Sequence, residues 1–170
     1  MELEELAENY IDMKGKEYFM RLFEEVKPEH RTCGTEIKLP RRADDGSAGY
    51  DFYLPKDIMI QPGETVIVPM DVKVAMEKDD VLLLFVRSSI GIKKRIVLAN
   101  GTGVIDSTYY NNPDNDGNIC AALTNLHPEY THVFKKGDRI MQGVFVKYLI
   151  TDEDLPVSDN RTGGIGSSGE

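Results

Sequence analysis

A basic residue and two hydroxyl side chains follow an apolar run in the middle of the chain. The triplet Arg87-Ser88-Ser89 comes directly after Val81–Val86. A guanidinium fork and two small hydroxyl groups at the end of a buried strand can bind a phosphate. A single triplet of this kind is more often an exposed strand end, so its interpretation depends on what else the chain supplies.

A carboxylate stands in a similar position further along. Asp106 closes the short apolar run Gly103–Ile105, and it can either hold a water for attack or cap a turn. The ring of Tyr109, three residues later, could offer a flat face to a sugar. Each of these residues alone is weak evidence.

Three other patterns are excluded by their context. The segment Gly164–Gly169 matches GxGxxG but ends the chain instead of opening a helix, so it is not a dinucleotide fingerprint. Asn112–Gly117 begins like a calcium loop, but position 12 would be Leu123 instead of a glutamate. The histidines, His30, His127 and His132, lack zinc-ligand spacing.

The elements that must position these residues are mainly short strands. Runs rich in Val, Ile, Phe and Tyr alternate with turn signals such as Gln61–Glu64, which has Pro and Gly at its centre as a type II turn prefers. Many short strands at this spacing predict an all-β sandwich or barrel. The predicted strands are Phe19–Val26, Phe52–Leu54, Thr65–Pro69, Val72–Met76, Val81–Val86, Ile96–Leu98, Gly103–Ile105, Ile119–Leu123 and Ile140–Tyr148.

The two ends of the chain differ from this β core. Apolar residues at helical spacing predict a short amphipathic helix over about residues 2–13, ended by Gly15. The segment from 158 to 170 is rich in Gly and Ser and cannot bury enough surface to order itself without a ligand. We therefore expect a helical appendage over 1–18, a β core over 19–157 and a C-terminal tail over 158–170 that is either a frayed end or a segment that orders on a ligand.

The charge balance limits the partners. The chain has 170 residues, with 20 Lys+Arg and 29 Asp+Glu, and a formal net charge of −9. An acidic chain is a poor general binder of nucleic acid, because phosphate contacts need a basic surface. Any phosphate chemistry must come from a local cluster of cations.

Cysteine usage and the N-terminus bear on the compartment. Cys33 and Cys120 are far apart and form no CxxC pattern, so we expect two reduced thiols. The acidic N-terminus lacks the basic and apolar regions of a signal peptide, and no apolar run is long enough to span a membrane. These features predict a soluble, cytoplasmic protein with no membrane partner.

Five segments, taken in order, resemble the five motifs of the trimeric dUTPase family, the dUTP nucleotidohydrolases. The resemblance runs from about residue 21 to the end of the chain, and although each motif alone is weak, five in order at family-like spacing are a strong signal. The segments are Ala48–Phe52, Arg87–Gly91, Asn100–Tyr109, Gly137–Gln142 and Arg161–Gly169.

The resemblance implies a fold and a reaction. The fold is a distorted, jelly-roll-like β-barrel. The reaction is Mg²⁺-assisted hydrolysis of dUTP to dUMP and pyrophosphate, which removes dUTP and supplies dUMP for dTMP synthesis. Asp106 would activate the water that attacks the α-phosphorus, and Asp51 would contact Mg²⁺ through a water in its outer shell.

The resemblance also implies how the nucleotide is held. Tyr109 would pack on the deoxyribose and exclude a 2′-hydroxyl group. The hairpin and the returning strand would read the uracil edge through Asn100, Gly103, Val104, Ile105 and Cys120. The phosphate chain would contact Arg87, Ser88, Ser89 and Gln142.

The last motif would close over the nucleotide as a lid. Arg161 would reach the γ-phosphate, and backbone groups of the Gly/Ser segment would cradle phosphates. In the family the chain forms a homotrimer whose three sites lie between subunits. The lid residues implied by the resemblance are Gly164, Ile165, Gly166 and Ser167.

The chain departs from the family pattern in three places. Ile165 stands where a phenylalanine usually stacks on uracil. Tyr110-Asn111 replaces the usual pair after the tyrosine, and Asn112–Gly117 lengthens the hairpin turn. Arg161 is one residue closer to the lid position than in many members.

Two other functions remain open from sequence. A dCTP deaminase shares the fold and would release ammonia, although the Asp106 and Tyr109 pair and the glycine-rich tail favour hydrolysis. A dUTPase-like regulator would act mainly by capturing a protein partner, through the N-terminal helix or the lengthened hairpin.

Overall fold

Antiparallel strands make up most of the regular structure in the computed structural model, which describes residues 21–33 and 36–156. The described part of the chain contains short 3₁₀ turns and one five-residue π-helical turn, Ser89–Lys93, and no α-helix. No helix in this part is long and apolar enough to cross a membrane. Its strands are β1 Leu22–Glu25, β2 Arg41–Arg42, β3 Tyr50–Tyr53, β4 Ile58–Ile60, β5 Thr65–Pro69, β6 Val72–Ala75, β7 Asp80–Val86, β8 Ile96–Leu98, β9 Gly103–Asp106, β10 Cys120–Asn125, β11 His132–Phe134 and β12 Arg139–Lys147.

The strands form four antiparallel sheets. The largest has the order β2-β3-β12-β7-β9, and a second has the order β5-β10-β8. Two smaller pairs, β1-β6 and β4-β11, complete the set within the described ranges. The nine-residue strand β12 lies between β3 and β7, so it links the first, second and fourth motifs in one sheet.

The core lies between these sheets. Phe52 of β3, Leu84 of β7, Leu123 of β10 and Met141 of β12 are fully or almost fully buried in one apolar cluster. Phe23 of β1 joins the cluster and packs edge-on against Phe52 at 5.6 Å between ring centroids. Each large side chain buried in this way contributes about 1.5–3 kcal/mol. The alternating burial of β10 follows directly from its sequence, because neighbouring side chains on a strand point to opposite faces.

The predicted all-β architecture is confirmed. Strands β5 and β8 have the predicted bounds, and the turn at Gln61–Glu64 has Gly63 at φ +74° with a hydrogen bond from Glu64 N to Gln61 O. The sequence analysis missed β2, β4 and β11, because strands of two or three residues are too short to show an alternating pattern. The predicted helix over 2–13 and the lid over 158–170 lie outside the described residues.

Candidate active site

The first cluster of predicted site residues lies in the centre of the largest sheet and is called here the phosphate half. Asp51 of β3 is paired in register with Gln142 of β12, which is paired in turn with Phe85 of β7. Arg87 follows two residues after Phe85. Three of the predicted phosphate and metal residues are therefore brought side by side by strand pairing.

Asp51 organises the charges of the phosphate half. Its buried carboxylate accepts from Arg87 Nε at 2.9 Å and from Arg139 Nη1 at 3.1 Å. Because Arg87 uses its Nε on Asp51, the terminal nitrogens of its guanidinium keep donors for another anion. Arg139 was not among the predicted site residues, although it stands inside the fourth motif.

The two serines of the second motif lie at the start of the π-helical turn. Ser88 and Ser89 are exposed, and the turn is closed by hydrogen bonds from Ile90 N and Gly91 N to Arg87 O, each 2.9 Å. This turn bends the chain immediately after β7, so both hydroxyl groups stay at the surface next to Arg87.

The second cluster, called here the base half, surrounds an apolar cavity of about 460 Å³ beside β9 and β10. Every residue predicted to read the base lines it, and so does Tyr109. The sequence analysis missed the other lining residues, because they are ordinary apolar strand residues outside the motifs. The lining residues are Ile67, Leu84, Leu98, Ala99, Asn100, Gly103, Val104, Ile105, Tyr109, Cys120 and Ala122.

A close approach between two strands shapes this cavity. Gly103 of β9 faces Leu84 of β7 in register, and a Cβ on Gly103 would lie 2.9 Å from the Leu84 Cβ. Such a distance is shorter than real Cβ contacts allow, so only glycine lets β9 approach β7 this closely. The position of β9 beside β7 is thus set by the packing of the Gly103 backbone against the Leu84 side chain.

The thiol of Cys120 forms part of the cavity wall. Burial, with a smaller effect of the nearby Asp71 carboxylate, raises the pKa of Cys120 to about 11. The side chain therefore remains a neutral thiol near pH 7 and serves as a small apolar wall. Both Cys120 and Cys33 are free cysteines, as predicted.

Asp106 and Tyr109 sit where β9 ends. Asp106 is the last residue of β9 and is half-buried, and the 3₁₀ turn Ser107–Tyr109 follows directly. This turn carries the Tyr109 ring back to the cavity, where its side chain is buried. The carboxylate therefore lies next to the cavity wall formed by Ile105 and Tyr109.

The two halves are separate within one chain. Asp106 is paired with Val81 at one end of β7, whereas Arg87 follows the other end, six residues away. At about 3.3 Å per residue this places them roughly 20 Å apart. Asp51 lies three strands from Asp106 across the same sheet, so one chain does not bring the two predicted catalytic carboxylates together.

The donors of the phosphate half can be tested against a magnesium ion. In the described ranges no group of three or more His, Cys, Asp or Glu side chains could hold a metal by itself. Asp51 is one hard carboxylate whose remaining lone pairs are open to a water ligand. Mg²⁺ usually keeps several waters and uses one or two carboxylates plus substrate phosphates, and Asp51 fits that role.

The remaining predicted site residues cannot be placed. Arg161 and the lid residues Gly164, Ile165, Gly166 and Ser167 lie outside the described ranges, and their roles stay predictions.

Fold and site together define a class of protein. It is a jelly-roll-like β protein with an apolar cavity of about 460 Å³, a carboxylate beside that cavity, and a separate arginine cluster suited to phosphates. Comparisons with known proteins agree with this class. The dUTPase family model matches residues 35–169.

Individual relatives give the same result. The deoxyuridine 5′-triphosphate nucleotidohydrolase of Lactococcus lactis subsp. lactis is 40% identical over 146 residues, which is 85% of this chain and 95% of the relative. That of Bifidobacterium longum subsp. infantis is 35% identical over 152 residues, 87% of this chain and 89% of the relative.

Solved structures also match. The dUTPase from Streptococcus mutans has a TM-score of 0.69 and 42% identity, covering 76% of this chain and 98% of its own. A dUTPase from phage phi11 of S. aureus, described with a structural Mg(II) ion, has a TM-score of 0.65 and 21% identity, with coverages of 82% and 97%, and shows likeness of fold. The chain belongs to the dUTPase family.

Proposed function

We propose that this chain hydrolyses dUTP to dUMP and pyrophosphate, with Asp106 activating the attacking water. As a member of its family the chain is a dUTP diphosphatase. One observation carries the assignment of Asp106: it closes the strand whose preceding residues, Gly103 to Ile105, line the apolar cavity of the base half. A nucleotide with its base in this cavity presents its α-phosphate near the end of β9.

The base half selects the nucleoside. Backbone N–H and C=O groups of the hairpin bind the uracil edge, and the close approach of Gly103 to Leu84 keeps the cavity narrow against a thymine methyl group. The Tyr109 ring packs on the deoxyribose and leaves no room for a 2′-hydroxyl group. The cavity rejects other nucleosides by its shape and by its fixed backbone groups, which need no rearrangement when the base enters.

The phosphate half binds the charged chain. Arg87, held through its Nε by Asp51, directs its terminal nitrogens to phosphate oxygens. Ser88, Ser89 and Gln142 add hydroxyl and amide donors around it. Arg139, the second partner of Asp51, keeps that carboxylate anchored when Arg87 engages the substrate.

The chemical step is an in-line displacement at the α-phosphorus. Asp106 accepts a proton from a water as the water oxygen bonds to phosphorus, and the bond from phosphorus to the pyrophosphate oxygen breaks. Positioning and charge stabilisation supply most of the rate enhancement in reactions of this kind. A bound Mg²⁺ would neutralise charge on the triphosphate, with Asp51 as its outer-shell contact.

The base half and the phosphate half must act on the same nucleotide, and we propose that they come together at a subunit interface. The separation of roughly 20 Å within one chain is too large for one nucleotide to use Asp106 and Arg87 of the same subunit. A homotrimer in which neighbours contribute opposite halves satisfies the geometry. Arg161 and Ile165 of the C-terminal lid close over the nucleotide in this arrangement.

A nucleotide panel tests the proposal. Purified protein with Mg²⁺ is given dUTP, dTTP, dCTP or UTP, and pyrophosphate and ammonia are both measured. We expect pyrophosphate from dUTP and little from the other three. Intact dUTP would overturn the proposal, and ammonia from dCTP would assign the chain to the deaminases of the same fold.

A further inference from the structure

The loop that follows Tyr109 holds the hydroxyl group of this tyrosine on two sides. Tyr109 Oη donates to the carbonyl oxygen of Asn118 at 3.0 Å and accepts from Asn115 Nδ2 at 2.8 Å. The side chain is only 4% exposed, so these bonds are shielded from competing water. The two hydrogen bonds therefore fix both the position and the orientation of the Tyr109 ring.

The same loop also holds the main chain of Tyr109. Asn112 Nδ2 donates to the Tyr109 carbonyl at 2.8 Å, and a second bond from Asn112 Nδ2 to Asn115 Oδ1 at 2.8 Å links the two asparagines. Gly117, at φ +81°, packs so closely that a Cβ there would lie 2.8 Å from the Tyr109 carbonyl. Side chain and backbone of Tyr109 thus depend on one small network centred on Asn115.

This network is anchored to the body of the protein. Asp116 forms an ion pair with Lys73 of β6 at 3.0 Å, and both side chains are almost fully buried. The Asp116 carboxylate also accepts from Lys27 N at 2.8 Å. Displacing the loop would break this ion pair and leave the buried Lys73 ammonium without its carboxylate partner, which is strongly destabilising.

We propose that Asn115 is a positioning residue that fixes the Tyr109 ring against the sugar and so sharpens the choice of deoxyribose over ribose. This inference rests on the proposed function, in which Tyr109 packs on the deoxyribose. A ring free to tilt by a fraction of an ångström could make room for a 2′-hydroxyl group, whereas a ring held by two bonds cannot. The loop Asn112–Gly117 therefore contributes to substrate choice through Tyr109.

A double-mutant cycle measures this coupling. The variants are Asn115→Ala, Tyr109→Phe and the double change, and the readout is kcat/KM for dUTP divided by kcat/KM for UTP. Each single change should lower this ratio roughly tenfold, because each removes the shielded hydrogen bond between Asn115 and Tyr109. In the Tyr109→Phe background, Asn115→Ala should change the ratio by no more than about twofold, because the hydroxyl group it acts on is gone.

Tyr110→Phe is the matched control. It also deletes a tyrosine hydroxyl of this loop, one that donates to the Glu24 carboxylate on β1. It should lower thermal stability without changing the selectivity ratio. If Asn115→Ala fails to fold, Asn115→Ser takes its place in the cycle, because serine also lacks the amide group that donates to Tyr109 Oη.

The outcomes separate two failures. Wild-type protein that leaves dUTP intact overturns the proposed function itself. Wild-type protein that hydrolyses dUTP and rejects UTP, with Asn115→Ala or Tyr109→Phe equally selective, overturns only the role of Asn115. An Asn115→Ala effect of equal size in both Tyr109 backgrounds also overturns it, because the residue would then act on the fold and not on the ring.

Discussion

The base half and the phosphate half are built on opposite principles. The base half is an apolar cavity whose shape comes from strand backbones, a neutral thiol and a buried tyrosine. The phosphate half has no such enclosure and consists of a buried carboxylate between two arginines, with two exposed serines beside them. One half is defined by shape and the other by charge.

This difference fits the ligand groups that we propose each half recognises. A base differs from its competitors by a methyl or an amino group, so rejection needs a cavity that does not adapt. A triphosphate is recognised chiefly by its charge, so a few directed donors are sufficient. The Asp51 carboxylate keeps the two arginines in place before the substrate arrives. The arginines belong to an acidic chain, and the surrounding negative charge also discourages binding of long polyanions.

The largest effect is expected at the carboxylate of the base half. Asp106→Asn should lower kcat about a thousandfold, because the water loses its proton acceptor. Isothermal titration with a non-hydrolysable dUTP analogue should still show binding. The exposed Asp114→Asn is the matched control and should keep near-normal turnover, and undiminished kcat in Asp106→Asn would remove this residue from the mechanism.

The separation of the two halves predicts complementation between inactive subunits. Asp106→Ala disables the base half and Arg87→Ala the phosphate half, so each variant should be inactive alone. In the proposed homotrimer, variants co-refolded at equal amounts should regain about a quarter of wild-type activity, because about three quarters of randomly assembled trimers would be mixed and each would keep one intact site. Co-refolding Asp106→Ala with Tyr109→Ala, both changes being in the base half, should regain none, and activity there would contradict the sharing.

The half-buried thiol of Cys120 tests how well the base cavity is shielded from solvent. With its pKa raised from 9.0 to about 11, Cys120 in a Cys33→Ser background should react with iodoacetamide at pH 8 about a hundredfold more slowly when folded than when unfolded. Folding stability should decline as pH rises from 9 through 11, because the unfolded state releases this proton first. Equal alkylation rates in the two states would show that the cavity wall is open.

The smallest effect concerns the close approach of β9 and β7. Gly103→Ala should destabilise the protein by about 1–3 kcal/mol in urea unfolding, since the new methyl group meets Leu84. It should also raise KM for dUTP, because β9 would move away from β7 and change the shape of the base cavity. Gly101→Ala is the control for the base cavity, because a Cβ there meets no neighbour and only the backbone strain at φ +73° remains. A Gly103→Ala variant with wild-type stability and KM would show that β9 can move away from β7.

Much of the fold and site was readable from sequence because local patterns carry it. The bounds of β5 are predictable because a β-branched run stands between turn residues. Asp106 is recognisable as a charged residue at the end of an apolar run. The strands β4 and β11 were missed because each has only three residues and is stabilised by pairing with the other across a long loop. Arg139 was missed for a related reason, since its ion pair with Asp51 joins residues 88 positions apart.

The sequence by itself determined which residue types are present and in what order: the five motifs, the all-β class and the acidic balance. Only the tertiary structure decided how they group, because strand pairing joins distant segments and the sequence does not encode register locally. Pairing of β3, β12 and β7 brings Asp51, Gln142 and Arg87 together, while the register of β9 on β7 puts Asp106 at the far end. A separate long-range contact, the ion pair of Asp116 with Lys73 of β6, anchors the loop Asn112–Gly117 beside Tyr109, and the sequence shows this loop only as extra residues.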